Sequence, residues 1–125
     1  MAQENVMKIK LSIENQDVII RLQQNSATEQ FVKMLPAQFE FRDFAGEEKI
    51  SYFPQPISLE GAPRGMIASA GKLFIYAPWK NFGIFYKTHS TRPDNNLIEL
   101  GEVESGLNYL TQQEGDFTAQ IEVIR

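Results

Sequence analysis

Residues 71–86 read Gly71-Lys72-Leu73-Phe74-Ile75-Tyr76-Ala77-Pro78-Trp79-Lys80-Asn81-Phe82-Gly83-Ile84-Phe85-Tyr86 and hold the only tryptophan of the chain. Two apolar runs, 73–77 and 82–86, flank Pro78-Trp79-Lys80-Asn81, and both are rich in the aromatic and β-branched residues that suit a pleated surface. They read as two core strands joined by a tight connection. Neither run alternates between apolar and polar residues, so each strand has both faces covered. One face would meet the far wall of a closed sheet, the other a helix or loop. That pattern predicts a barrel rather than an open sheet with one wet face.

The flanking sequence extends the pattern. Ile9, Leu11 and Ile13 alternate with Lys8, Lys10 and Ser12, following Met7, the period of a strand wetted on one side. Asn15 turns the chain, and Val18, Ile20 and Leu22 resume the alternation as a hairpin partner. Ser26 and Glu29 have the spacing of a capping box and open a helix. Ala27, Phe31, Met34 and Leu35 form its apolar stripe, and Pro36 stops it. Phe39 and Phe41, a turn at Ala45-Gly46-Glu47, and Ile50, Tyr52 and Phe53 give a second hairpin. Residues 55–70 contain Pro56, Pro63, Gly61 and Gly65 and read as a long surface loop, the first place to look for a ligand. Residues 89–96 read as a second polar loop. Leu97, Ile98 and Leu100 start another strand, with Gly101 as a bulge or close-approach point. Residues 105–114 make a short helix turning Leu107 and Leu110 inward, and Phe117, Ala119, Ile121 and Val123 alternate as the last strand. The sum is a mainly β domain over 7–125, preceded by a disordered tail at 1–6: about eight strands and two short helices, a spacing that sandwiches and barrels share, while the early helix and the doubly apolar central pair favour a barrel closed at its ends by the helices.

Composition bounds the function. The chain has 125 residues, enough for one core without staples. It has no cysteine, which removes thiol catalysis, disulfides and zinc–thiolate sites and leaves the redox compartment unread. A net charge of −4 and a pI near 5.0, with the twelve basic residues scattered, argue against a nucleic-acid partner. No apolar stretch reaches the ~18 to 20 residues of a membrane span, and there is no signal-peptide pattern. A soluble monomer is expected. Its compartment is unassigned: cytoplasmic by default, though Ala2-Gln3-Glu4-Asn5 also suits a mature exported end.

Enzyme motifs fail on residue identity. Gly65 to Gly71-Lys72 approaches a phosphate loop, but the glycines are one residue too far apart and Leu73 stands where magnesium needs Ser or Thr. Ser69 before Ala70-Gly71 lacks the first glycine of a nucleophile elbow, since Ile67 is there. Asp43, Glu47 and Glu48 gather at a hairpin turn, where solvated acids are ordinary, so no metal is expected. His89 has no motif partner and reads as a loop residue. No cofactor is expected. Trp79 has two readings: a ring covering the barrel mouth, which is preferred, or a recognition platform. In the second, Trp79, Tyr76, Tyr52 and Arg64 line a groove between the long loop and the central hairpin, rings packing on a ligand and Arg64 holding a carboxylate or carbonyl.

Ala77-Pro78-Trp79, Asn81 and Gly83-Ile84-Phe85-Tyr86-Lys87 resemble the signature of the small bacterial cyclophilin-like proteins. Asp43-Phe44, Gly46 and Glu48-Lys49 fit the same family, as do Glu60-Gly61-Ala62-Pro63 and Leu100-Gly101 with Val103 and Ser105-Gly106. The resemblance covers most of the chain from about Met7 onward, departing at Lys80 and Phe82, where glycine and leucine are expected. It implies a cyclophilin-like barrel. It also raises prolyl cis–trans isomerisation, in which an arginine donates to the prolyl nitrogen and an aromatic pocket grips the ring. Phe85 or Tyr86 would match the parent aromatic strand, but the arginine followed by Phe-Met-x-Gln has no counterpart. The reading is therefore a non-catalytic module binding a small molecule or peptide, with Tyr52, Arg64, Tyr76, Trp79 and Phe85 as candidate contacts. A diverged isomerase and a structural or protein-interaction domain are the alternatives.

Overall fold

In the computed structural model, which describes residues 7–124, eight antiparallel strands close into a barrel and two more form a small separate sheet. In chain order the elements are β1 Lys8–Ile13, β2 Gln16–Leu22, α1 Ser26–Lys33, β3 Ala37–Phe44, β4 Glu48–Ser51, β5 Met66–Ser69, β6 Lys72–Tyr76, β7 Asn81–Phe85, β8 His89–Asp94, β9 Leu97–Ser105, α2 Leu107–Thr111 and β10 Phe117–Ile124. The barrel order is β1-β10-β3-β4-β7-β6-β9-β2, closed between β2 and β1. Residues 1–6, read as a disordered tail, lie outside the described residues. Among the described residues no helix is long and apolar enough to cross a membrane.

The period-2 strands behave as their sequence dictates. Ile9, Leu11 and Ile13 on β1, Val18, Ile20 and Leu22 on β2, and Phe39 and Phe41 on β3 are buried in one interior, while intervening residues reach solvent. Met7 stays exposed. The helices close opposite ends. Helix α1 follows β2 and inserts Phe31 against Phe39, Phe53 and Phe82, ring centroids 5.2–6.0 Å apart. Helix α2 follows β9 at the other end and buries Leu110; Leu107 is half-buried. The cap of α1 differs by one residue from the predicted Ser26–Glu29 box. Asn25 is the cap, its Oδ1 accepting from the Ala27 and Thr28 amides, while the Thr28 hydroxyl accepts from the Asn25 amide. Asn caps at least as well as Ser, and Thr28 supplies the reciprocal bond that Glu29 was expected to give.

Gly101 is both a close-approach point and part of a bulge. A Cβ there would lie 2.2 Å from the Arg21 carbonyl oxygen, and the β6–β9 register slips beside it, Leu73 pairing Gly101 and Phe74 pairing Glu99. Two corrections concern the loops. Part of the long loop, at 66–69, is β5, and most of the polar loop at 89–96 is β8; they pair antiparallel as the second sheet. His89 is thus a strand residue. Neither strand is marked by apolar alternation, since β8 is exposed along its whole length.

The two faces of β6 and β7 are covered, as their unbroken apolar runs require. Leu73, Ile75, Phe82 and Ile84 point into the barrel. Phe74 and Phe85 point outward and join Ile50, Met66 and Leu97 in a second apolar cluster, with Ala68 and Tyr76 packed against it. The outer cover is therefore the β5–β8 sheet, not a helix or loop.

Candidate functional site

The outer face of β4, β7 and β6, together with the β5–β8 sheet, encloses a cavity of about 400 Å³, within the usual range for small-ligand sites. Its walls are mostly apolar: Phe44, Phe74, Tyr76, Trp79 and Phe85, with Ile50, Ala68 and Leu97. Phe74 and Phe85 stack with centroids 4.1 Å apart and planes at 18°, and Trp79 meets Tyr76 edge-on at 5.4 Å. Gly83 makes the floor close-fitting, since a Cβ there would lie 2.7 Å from the Lys49 carbonyl oxygen and 3.0 Å from the Phe74 ring. Trp79 is 61% exposed and stands at the rim rather than sealing the barrel mouth, which was the preferred expectation. The aromatic cluster around Phe31 fills that end instead.

Five polar residues reach the cavity: Glu48, Asn81, Thr88, Ser90 and Asp94. Asn81 is 3% exposed, and among the described residues its buried side-chain oxygen has no hydrogen-bond partner. It lies on the outward face of β7 with Phe85, while Phe82 and Ile84 face the interior. Glu48 is half-buried beside Ile50 on β4. Burial, aided by the charge of Glu47, pushes its carboxyl up to about 7. The acids at this turn are therefore not uniformly solvated.

Next to the cavity, Lys49 is 1% exposed and points the other way along β4. Its Nζ donates to Asp43 Oδ1 at 3.1 Å and to the Gln113 carbonyl at 2.8 Å, and lies 4.6 Å from the Tyr86 ring centroid. The Tyr86 hydroxyl donates to the same Asp43 oxygen. That bond holds the Asp43 carboxyl below its ordinary value, and the carboxylate in turn pushes Tyr86 up to about 12. These residues tie β3, β4 and β7 to the segment after α2. Phe85 and Tyr86, equivalent in the sequence, are thus separated: Phe85 lines the cavity and Tyr86 does not.

Of the five residues singled out in the sequence, Tyr76, Trp79 and Phe85 meet in this cavity. Tyr52 lines a more open hollow of about 360 Å³ formed by residues 52–57 and Lys80. Arg64 lines neither, and its Nε donates to the Asn95 carbonyl at 2.9 Å. Glu48 and Asn81 were not among the five.

A model of the cyclophilin-like family matches residues 11–122. The chain belongs to the cyclophilin-like family. A solved relative in fold is a hypothetical protein from Archaeoglobus fulgidus, determined in solution, with a TM-score of 0.66, 12% identity and coverage of 98% of each chain. No curated protein matches the sequence. At that identity the likeness of this cyclophilin-like chain to the archaeal structure extends to fold alone, so its site is argued from its own residues.

Proposed function

We propose that this cyclophilin-like barrel is a non-catalytic binding module whose outer-face cavity receives a small molecule or short peptide. The observation that carries the reading is the pairing of an apolar, aromatic-walled hollow of about 400 Å³ with a buried, unpartnered acceptor on Asn81. Leaving such an acceptor unsatisfied costs ~1 to 3 kcal/mol, and an orphan group of this kind calls for an explanation. A ligand donor would satisfy it. Isomerisation draws less support. None of the lining residues is an arginine or lysine, so a mechanism that polarises the prolyl nitrogen lacks its donor there.

A two-dimensional NMR titration with a fragment library and a set of proline-containing peptides tests the proposal. Saturable shifts at the Trp79 indole and at Phe85, abolished by filling the hollow with Ala68→Phe, are expected. Binding that leaves these signals unmoved, or survives the filled cavity, would refute the assignment. Enhanced cis–trans exchange in the peptides would replace it with the isomerase reading.

A further inference from the structure

The charged groups that line the cavity are of one sign. Among the described residues that line it, Glu48 and Asp94 alone carry carboxyl groups, Glu47 adjoins Glu48, and none is a lysine, arginine or histidine. Among the described residues the Glu48 side chain makes no hydrogen bond or ion pair, whereas Asp43, Glu47, Glu99 and Asp94 each hold a donor. The buried oxygen of Asn81 likewise waits for a donor. An anionic ligand would meet no positively charged side chain among the lining residues, only two carboxyl groups and neutral polar groups such as Thr88 and Ser90. A cation bearing donors meets an uncommitted carboxylate, an uncommitted carboxamide oxygen and the π-faces of aromatic rings, which attract ammonium groups.

The register fixes how these are spaced. Glu48 pairs with Phe85 and Ser51 with Phe82 across β4 and β7, so Asn81 lies four residues from Phe85 along its strand, roughly 13 Å at the usual rise. Phe74 pairs with Gly83, midway between Asn81 and Phe85, and its ring stacks on Phe85 on the same outward face. One charge cannot serve both. We infer that the ligand is an elongated organic amine, its ammonium against Glu48, its flat apolar body along Phe74 and Phe85, and a hydrogen-bond donor at its far end meeting Asn81. The inference rests on the cavity being a binding site, as proposed above.

Binding of a cation favours the ionised form of Glu48, so amine capture releases the proton that this half-buried carboxyl holds near neutrality. Glu47 on the same turn acts on it through its charge, and the other titratable groups lining the cavity with it are Asp94 from β8 and Tyr76 from β6; β3 contributes Phe44, β5 Ala68, and β7 Asn81 and Phe85. With the free carboxyl titrating at about 7, affinity for an amine falls roughly thirtyfold from pH 8 to pH 5.5 by linkage.

The test uses the intact chain and the fluorescence of its single tryptophan at the cavity rim. Probes are a series of ω-(4-hydroxyphenyl)alkylamines with two to five methylenes, the matching neutral alcohols, and the amines lacking the ring hydroxyl. The best amine is expected to bind at least tenfold more tightly than its alcohol at pH 8. Glu48→Gln removes that advantage and its pH dependence, and Asn81→Leu removes the advantage of the ring hydroxyl. Melting curves check that both variants fold, and the wild-type pH profile stands alone if either does not. Equal binding of amine and alcohol, or a pH-independent amine affinity, overturns the amine inference and leaves the binding module intact. Saturation by none of these probes also overturns it, and the fragment titration then decides the cavity separately.

Discussion

Replacing Gly101 by alanine tests whether the barrel closes through a backbone contact that admits no side chain. The added Cβ would lie 2.2 Å from the Arg21 carbonyl oxygen and 3.2 Å from the Leu22 Cα. Both neighbours are backbone, so β2 and β9 must part by about 0.8 Å to restore a ~3.0 Å contact. The Gln23 amide to Leu100 carbonyl bond, now 2.7 Å, would stretch to about 3.5 Å and cease to be a useful hydrogen bond. Its loss costs ~1 kcal/mol and overpacking ~1 to 3 kcal/mol, offset by ~0.4 to 1 kcal/mol from a less flexible unfolded chain. A net destabilisation of about 2 kcal/mol corresponds to roughly 8 °C in Tm for a domain of this size. Thermal unfolding followed by circular dichroism measures it. Gly115→Ala is the control: nothing lies within 4 Å of its Cβ, and only the backbone at φ +78° resists, a cost of ~1 to 2 kcal/mol. A Gly101→Ala melting point within about 2 °C of wild type would refute the close-contact argument.

Three further outcomes follow from groups already described. Glu48 has a folded-state value of about 7 against 4.5 in a model peptide, so the unfolded chain gives up this proton first and stability is lost as pH rises between those values; Glu48→Gln should gain in Tm relative to wild type from pH 4 to pH 8, and a constant difference would contradict the burial of the carboxyl. Tyr86, raised to about 12 by Asp43, contributes stability below pH 10 that disappears as pH rises through 12. A spectrophotometric tyrosinate titration should show a late component that Tyr86→Phe removes. Asn25→Ala should cost ~1 kcal/mol by denaturant unfolding, whereas Ser26→Ala, which loses only an exposed bond to the Glu60 carbonyl, should cost less; the reverse order would return the cap to Ser26.

The barrel was legible wherever burial follows a period. β1, β2, β3 and β10 show water on one face through alternating polar residues, and β6 and β7 show two covered faces through the absence of alternation. The small sheet was illegible because β8 is exposed throughout and β5 has four residues; these segments are strands because they pair with each other, which no local pattern records. The turn residues Pro93-Asp94-Asn95-Asn96 also argued for a loop. At the site, Tyr76, Trp79 and Phe85 were visible as aromatic residues. Glu48 and Asn81 were not, since each shares its outward face with a residue, Ile50 or Phe85, whose direction the sequence alone left open. Given an outward Ile50, the two-residue period would have carried Glu48 to the same face. Arg64 was grouped with the aromatics as a member of the long loop, and folding directs its Nε to the Asn95 carbonyl instead.

The position of β10 bears on how the chain can be made. It supplies both seams at once, pairing β1 on one side and β3 on the other. A ribosome that has synthesised the chain only as far as Gln113 has produced every other barrel strand yet leaves two unpaired edges, on β1 and on β3. Such edges are templates for pairing with other chains, and both are removed only by long-range pairs, the β1–β10 pair joining the first strand of the barrel to the last, the kind of contact that slows folding. The interval between emergence of residue 113 and docking of Phe117–Ile124 is thus the stage of synthesis at which this barrel is most exposed to misassembly.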